Sequence, residues 1–249
     1  LQGDWSSDVC SSDLVPRAFD KIQASGKLRW LKNVTFISDV PGKNDGTQGL
    51  SGGGITTDSL VSLINRANKQ IIIQSPYLVT TNLSRNLFKA AVKRGVSIKI
   101  LTNSLASTDN LDAFNGYQRD REELLDTGVE IYEFKPDAEV RYEIMTGALQ
   151  EKVGYSPIFG LHAKSMTIDN EIAVVGTFNL DPRSANLNTE CITLIYDSIF
   201  ASELSENMLI DMQPENAWQT TYNFNPDSAA GNWKELKAKT RRIVPKSIL

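Results

Sequence analysis

Apolar positions along the chain change period several times, and those changes divide it into elements. Thr57-Asp58 can cap a helix in which Leu60, Leu63, Ile64 and Ala67 recur at the spacing of one helical face. Ile71-Ile72-Ile73 is a short continuous apolar run, read as a buried strand ending at Ser75-Pro76-Tyr77. The next period predicts a helix from about Leu83 to Arg94, stopped by Gly95, and then a strand over Val96 to Thr102. Asn110 to Thr127 is a further helix stopped by Gly128, and Val129 to Phe134 a third strand. Strands alternating with helices that stop at glycine are the pattern of a parallel sheet with crossover helices.

Past Phe134 the pattern changes. Lys135 to Gly160 has weak periodicity and reads as an insertion beside a site. Leu161 to Ile168 and Ile172 to Thr177 are strands around Asp169-Asn170-Glu171, a tight hairpin. Thr189 to Asp197 is another strand, followed by a helix over Ser198 to Asp211. Before the first helix, Leu28 to Asp39 is compatible with strands, and Pro41 to Gly54, rich in Gly, Asn, Asp and Ser, is a loop. No internal repeat is present. The fold class is α/β, a mixed and mostly parallel sheet flanked by helices.

Composition narrows this little, but the termini change it. The chain has 249 residues, 41% of them apolar and 22% charged, which excludes a disordered or fibrous protein. Leu1 to Leu14 (LQGDWSSDVCSSDL) carries no period and no secretory pattern, and it resembles translated sequencing-adapter DNA. It holds Asp4, Asp8 and Asp13, three of the four net negative charges, so Val15 onward is near neutral. It also holds Cys10, which leaves Cys191 alone and excludes an internal disulfide or a four-thiolate zinc site. From Lys234 to Leu249 there are six basic residues, Lys234, Lys237, Lys239, Arg241, Arg242 and Lys246, against Glu235. Such a segment suits an anionic lipid surface or nucleic acid, and equally a solvated helix face. No apolar run approaches the ~18–20 residues that span a bilayer.

The chemistry gathers around the sole histidine. His162-Ala-Lys164, then Asp169, then Gly176-Thr177-Phe-Asn179 read H-x-K-x4-D-x6-G-T-x-N. Average residue frequencies give all six positions by chance on the order of once in ten million starts. Two apart on a strand, His162 and Lys164 share a face, where an ammonium can neutralise phosphoryl oxygens while an imidazole attacks phosphorus or moves a proton. Thr177 and Asn179, just past the adjacent strand, can offer a hydroxyl and an amide to the same phosphate. Asp169 falls at the hairpin turn, where turn capping is its preferred role over a direct chemical one. Glu190 opens the next strand, where a carboxylate could bond the far nitrogen of His162 and fix its tautomer.

This pattern resembles the HKD signature of the phospholipase D superfamily. Ile72–Val79 (IIQSPYLV), Lys93–Leu105 (KRGVSIKILTNSL), Gly128–Pro136 (GVEIYEFKP) and Gly176–Glu190 (GTFNLDPRSANLNTE) are similar to the C-terminal half of bacterial cardiolipin synthases. The resemblance implies a catalytic set of His162, Lys164, Asp169 and Glu190, with Lys164, Thr177 and Asn179 binding phosphate. It implies no cofactor and no metal. Arg183 and Ser184 follow the family's D-x-R-S run, as pocket floor, as partners of Glu190, or as plain structure. Tyr77, at a strand end, is a weaker candidate.

Such enzymes are expected to work through a phosphohistidine, one imidazole attacking and a second, from another HKD motif, protonating the leaving alkoxide. One imidazole cannot act from opposite sides of one phosphorus, so a single copy of this chain is expected to be incomplete. The second histidine comes either from a first HKD half preceding Val15 or from a second copy across a two-fold axis. The expected organisation is then an artefact at 1–14, a connector from the missing half at 15–57, a phospholipase D-like domain at 58–233 and a basic tail at 234–249. The expected activity is phosphatidyl transfer between phospholipid alcohols, with His162 as acid/base, in the cytoplasm of a bacterium and peripheral to its inner membrane. A homodimeric phosphodiesterase or nuclease and a non-catalytic membrane-surface domain are the alternatives. Near-neutral charge disfavours nucleic acid.

Overall fold

The computed structural model describes residues 23–24, 29–43, 52–140 and 160–240. The chain divides into two compact units, Leu1–Lys32 and Asn33–Leu249. In the first, only a helical fragment at 23–24 and the segment 29–32 are described. The sheet and the motif residues all belong to the second. The 1–14 segment lies outside the described residues, as do 141–159, most of the expected insertion, and 241–249.

Eight strands form one sheet: β1 (Val34–Ser38), β2 (Gln70–Gln74), β3 (Ser97–Asn103), β4 (Glu130–Phe134), β5 (Ser165–Ile168), β6 (Ile172–Gly176), β7 (Cys191–Ile195) and β8 (Ala217–Thr220). Their order across it is β1-β7-β6-β5-β2-β3-β4-β8. The helices are α1 (Ile55–Arg66), α2 (Asn82–Lys93), α3 (Leu111–Leu125), α4 (Pro182–Asn186), α5 (Ser198–Asp211) and α6 (Asn232–Thr240), with a 3-10 turn at Asp227–Ala230.

The expected βαβαβ run is present, with β2, β3 and β4 parallel. Gly95 and Gly128 end α2 and α3 at φ values of 93° and 87°, a left-handed conformation that a Cβ would oppose. The sheet is mixed, as expected, but antiparallel pairings outnumber parallel ones. β2–β5, β5–β6, β6–β7, β7–β1 and β4–β8 are all antiparallel. Between β5 and β6 the connection explains this, since a three-residue link allows only an antiparallel hairpin.

Alternation along β2 sets the two layers. Ile71 and Ile73 pack with Leu63 and Ile64 of α1, Phe88 of α2 and Phe114 and Tyr117 of α3. Ile72, pointing to the opposite face, joins Met208 of α5 and Met212 just past its end. A strand buried on both faces reads as a continuous apolar run, which is what Ile71-Ile72-Ile73 is.

Two boundaries move. β1 pairs with β7 from Val34↔Ile195 to Ser38↔Cys191, so residues from Asn33 onward belong to the compact unit and are no free connector. At the other end, the segment from Lys234 begins inside α6, whose Ala238 is buried against the α3 side of the core. No helix among the described residues is long and apolar enough to cross a membrane.

Candidate active site

Strand directions bring the motif to one edge of the sheet. β5 runs antiparallel to β2, with Ser165 opposite Gln74, so the start of β5 meets the carboxyl end of β2. The end of β6 lies beside the start of β7, Gly176 opposite Ile192. The chain approaches so closely there that a Cβ on Gly176 would collide with the Cys191 carbonyl. This accounts for the motif glycine by packing. His162, Lys164, Thr177, Asn179 and Glu190 are all carried to this edge, where open α/β sheets place their ligands.

His162 lies on the approach to β5, which starts only at Ser165, so the expected strand from Leu161 is shorter by four residues. What holds that approach is Asn103, the last residue of β3. Its Oδ1 accepts the Leu161 N–H at 2.8 Å and its Nδ2 donates to the Leu161 carbonyl at 2.9 Å. The amide thereby replaces a strand partner for the residue before His162. Ser107 Oγ steadies the same Oδ1 at 3.1 Å. His162 is exposed, and its Nε2 stands 3.3 Å from Lys164 Nζ, so the expected sharing of a face holds without a strand ladder. The Lys164 ammonium also donates to the His162 carbonyl at 3.2 Å. Burial pushes this ammonium below the ordinary lysine value, opposed by the charges of Glu190, Asp181 and Asp109. No carboxylate among the described residues pairs directly with it, which leaves a cation open to an anionic ligand.

The 177–190 segment forms the other wall. Asn179 Oδ1 is buried without a hydrogen-bond partner, a costly state for an amide. Amide oxygen and nitrogen exchange places on a half-turn, so the position serves a donor equally well. The Asn179 backbone N–H donates to Ser184 Oγ at 3.1 Å, and that hydroxyl donates on to Glu190 Oε1 at 2.8 Å. Thr177 Oγ1 donates to Glu190 Oε2, and Asn188 Nδ2 to Oε1 at 3.3 Å. The expected Glu190–His162 hydrogen bond is therefore not formed. Glu190 is buried and binds the hydroxyls of Thr177 and Ser184, acting on Lys164 through space. The Thr177 hydroxyl, expected on phosphate, is engaged by Glu190 and by the Cys191 N–H at 3.0 Å. Ser184 of the D-x-R-S run pairs with Glu190, whereas Arg183 is exposed.

Beneath this wall lies a feature that the sequence did not signal. Asp39 and Lys43 form an ion pair of 2.7 Å with side chains 0% and 2% exposed. Asp39 accepts from the Thr56 N–H, the Thr56 hydroxyl and the Glu190 N–H at 3.0, 2.8 and 3.1 Å. Lys43 Nζ donates to the Ser184 carbonyl at 2.8 Å. Asp39, Lys43 and Thr56 thus form the platform on which Glu190 and Ser184 sit. Burial would raise the Asp39 carboxyl, but Lys43 and the Thr56 and Glu190 donors hold it below the ordinary value. Asp181, also buried, is raised by that burial and by the Glu190 charge, against the Ser184 N–H at 2.7 Å.

Asp169 is elsewhere. Five residues from Lys164, at about 3.4 Å per residue, it sits some ~17 Å away at the far end of β5. Asp169 and Asn170 have φ of 55° and 58°, and Glu171 N–H closes the turn on the Ile168 carbonyl at 2.9 Å. Asp and Asn are the side-chain-bearing residues that best tolerate this conformation. The Asp169 carboxylate accepts the N–H groups of Asn68, Lys69 and Gln70 at 2.9, 2.7 and 2.9 Å. Burial would raise its pKa, but these donors hold it below the ordinary range. It is a turn cap, and its place in the catalytic set is corrected accordingly.

Tyr77 is half-buried at the end of β2, its hydroxyl 3.3 Å from Asp109 Oδ1. Burial and the Asp109 charge raise its pKa. Lys234 of α6 donates to the Ala106 and Thr108 carbonyls at 3.0 Å each, so this member of the basic segment is spent on fixing the loop before Asp109.

Comparison with known proteins agrees with this geometry. Residues 60–212 match the family model described as "Cardiolipin synthase, PLD-like domain". Cardiolipin synthase C of Escherichia coli (strain K12) is 33% identical over 219 residues, 88% of this chain and 44% of that protein. A cardiolipin synthase of Staphylococcus aureus (strain Mu50) is 30% identical over 152 residues, 61% of this chain and 26% of that protein. The chain thus spans less than half the length of these relatives. Among solved structures, phosphatidylserine synthase from Haemophilus influenzae shares the fold at TM-score 0.53 and 16% identity, covering 94% of this chain and 53% of that one. NucT from Helicobacter pylori does so at TM-score 0.50 and 15% identity, covering 74% of this chain and 97% of that one. With the motif's histidine, lysine and asparagine gathered on one sheet edge and the family model matching most of the sheet, the chain belongs to the cardiolipin synthase, phospholipase D-like domain family.

Proposed function

We propose that the chain supplies one HKD half of a phosphatidyltransferase that moves a phosphatidyl group between phospholipid alcohols. The observation that carries this is the open ammonium of Lys164 next to His162 Nε2, on the sheet edge that also carries Asn179, whose buried amide oxygen has no partner. A phosphate between them receives positive charge and a donor from two sides, with an imidazole within reach of a phosphoryl or bridging oxygen. In the reaction one imidazole nitrogen attacks phosphorus, the phosphorus–oxygen bond to the first alcohol breaks, and a second imidazolium protonates the departing alkoxide. The second imidazole then takes the proton of the acceptor hydroxyl as its oxygen attacks, and the phosphorus–nitrogen bond breaks.

The chain has one histidine, so the other comes from a second HKD half, in a longer protein or in a second copy. By family likeness His162 is the acid/base; in a homodimer each His162 takes either role. Asp39 and Asp169, placed as scaffold, take no part in the chemistry. The carboxylates Asp109, Asp181 and Glu190 around Lys164 suit an uncharged hydroxyl as acceptor and oppose an extended polyanion such as nucleic acid. The enzyme would work at a membrane surface, and the basic composition of the sequence from Lys234 onward suits anionic headgroups.

The test joins the full chain to a first H-x-K-x4-D half and measures conversion of phosphatidylglycerol to cardiolipin. Conversion is expected, and His162→Ala should abolish it. Undiminished product from that variant contradicts the assignment. A chain that alone is dimeric and cleaves a chromogenic phosphodiester would favour the homodimeric phosphodiesterase instead.

A further inference from the structure

An apolar crevice of about 80 Å³ opens between the first halves of α1 and α2, on the same edge as the site. Val61 of α1, Val79, Leu83 and Leu87 at and around the start of α2, and Phe178 and Leu180 after β6 form its walls. Helix seams in a folded domain ordinarily close by interdigitation. This one stays open at its mouth, where Leu83 is 60% exposed.

Two features tie the crevice to the phosphate position. Phe178 and Leu180 are the chain neighbours of Asn179, so the short segment that carries the motif asparagine also gives the crevice two apolar side chains. A smaller cavity lined by Lys164, Ser75 and Gly176 shares Leu60, Met166, Phe178 and Leu180 with it. A third feature fixes the chemistry of the occupant. The polar groups at the rim are already satisfied from within: Thr57 Oγ1 donates to the Ala185 carbonyl, Thr81 and Ser84 cap α2 reciprocally, and Asp181 accepts from Ser184 N–H. The crevice therefore offers an incoming molecule hydrocarbon contact and little else.

We propose that this crevice holds the first methylenes of one acyl chain of a phospholipid whose phosphate lies at Lys164 and Asn179. The inference rests on the function proposed above and names the part of the substrate that reading leaves open. An apolar cavity of about 150 Å³ takes a benzene molecule, so one of this size takes on the order of three carbons. Each buried methylene is worth about fourfold in affinity, which makes the crevice worth on the order of 50-fold.

Calorimetry on the full chain tests this with two probes, dihexanoyl phosphatidylglycerol below its micelle concentration and the chainless glycerophosphoglycerol. The lipid should bind on the order of 50-fold tighter. Val61→Trp, which fills the crevice, should bring the lipid down to the affinity of the chainless probe and leave that probe unchanged. If Val61→Trp binds both probes as the parent does, the crevice is no acyl site while the phosphate reading stands. If lipid binding is sensitive to Val61→Trp but the chainless probe binds neither protein, the crevice stands and the phosphate reading falls. If neither probe binds the parent chain, both fall. Should Val61→Trp not fold, a diazirine on the chain of the lipid probe replaces it. Labelling of Val61, Leu83 or Leu87 supports the crevice, and labelling confined to other residues overturns it.

Discussion

The two ends of the β5–β6 hairpin differ in how their polar groups are used. At the turn end Asp169 accepts three backbone N–H groups, and the turn closes on itself. At the open end Lys164 is offset from the surrounding carboxylates, His162 is exposed, and Asn179 keeps a buried amide oxygen unpaired. On the function proposed above, the same H-x-K-x4-D string runs from a chemical end just before β5 to a scaffold end just after it. A residue's membership of a signature says that its type is required there, and only its partners say what for. Satisfied groups hold a fold, and groups left unsatisfied near a charge are where a ligand completes the set.

The sharpest way to break that contrast is to attack the scaffold under the open end. Asp39→Ala leaves Lys43 buried without its partner, and removing one member of a buried pair costs about 3–5 kcal/mol. Urea unfolding should show a loss of that size, and a loss below about 1 kcal/mol would mean that the platform is not structural. Glu133 sharpens the difference between a perturbed group and a functional one. It is buried on β4, accepts the Tyr117 and Thr220 hydroxyls at 2.8 Å each, and leaves Oε2 unpaired. Burial pushes its pKa up to about 7 against the pull of Arg121, 3.3 Å away. The folded chain then keeps a proton that the unfolded chain releases near 4.5. Its contribution to stability is complete below about 4.5 and is lost as pH rises through about 7, on the order of 3 kcal/mol in all. Glu133→Gln should remove this slope between pH 4.5 and 7.5, and identical slopes in the two proteins would refute the raised value. The smallest effect is expected at Asn179. Asn179→Ala removes an unsatisfied buried group, so stability should rise by up to about 1 kcal/mol while transfer slows by roughly tenfold or more. A variant that loses stability at unchanged rate would make Asn179 scaffold.

Much of this was legible in the sequence because it is local. Periodicity and the stops at Gly95 and Gly128 identify β2 through β4 and the helices between them, and Asp169-Asn170 announces a turn through residues that tolerate positive φ. The motif marks His162, Lys164 and Asn179 as candidates, and the fold carries all three to one sheet edge. What escaped is decided by pairing across the chain. β8 (AWQT) has no apolar alternation, so only its partner β4 defines it, and β1, which falls within the expected Leu28–Asp39 strand region, takes its exact bounds from β7. The Asp39–Lys43 platform joins residues that meet Ser184 and Glu190 only after the sheet closes. Glu190 lies just before β7 on the edge that carries the motif, but the hydroxyls of Thr177 and Ser184 take its carboxylate in place of His162, and sequence spacing does not weigh that competition. Asn103 carried the one usable hint, a polar side chain at the carboxyl end of a parallel strand.

The most direct measurement compares Lys164→Ala with Asp169→Ala in the enzyme joined to its first HKD half, recording transfer rate and melting temperature for each. Opposite outcomes are expected. Lys164→Ala should lose at least ~100-fold in rate with its melting temperature kept. Asp169→Ala should lose about 2 kcal/mol of stability with its rate per folded molecule kept. An Asp169→Ala protein that melts normally and transfers nothing would overturn the division of the motif into a chemical end and a scaffold end.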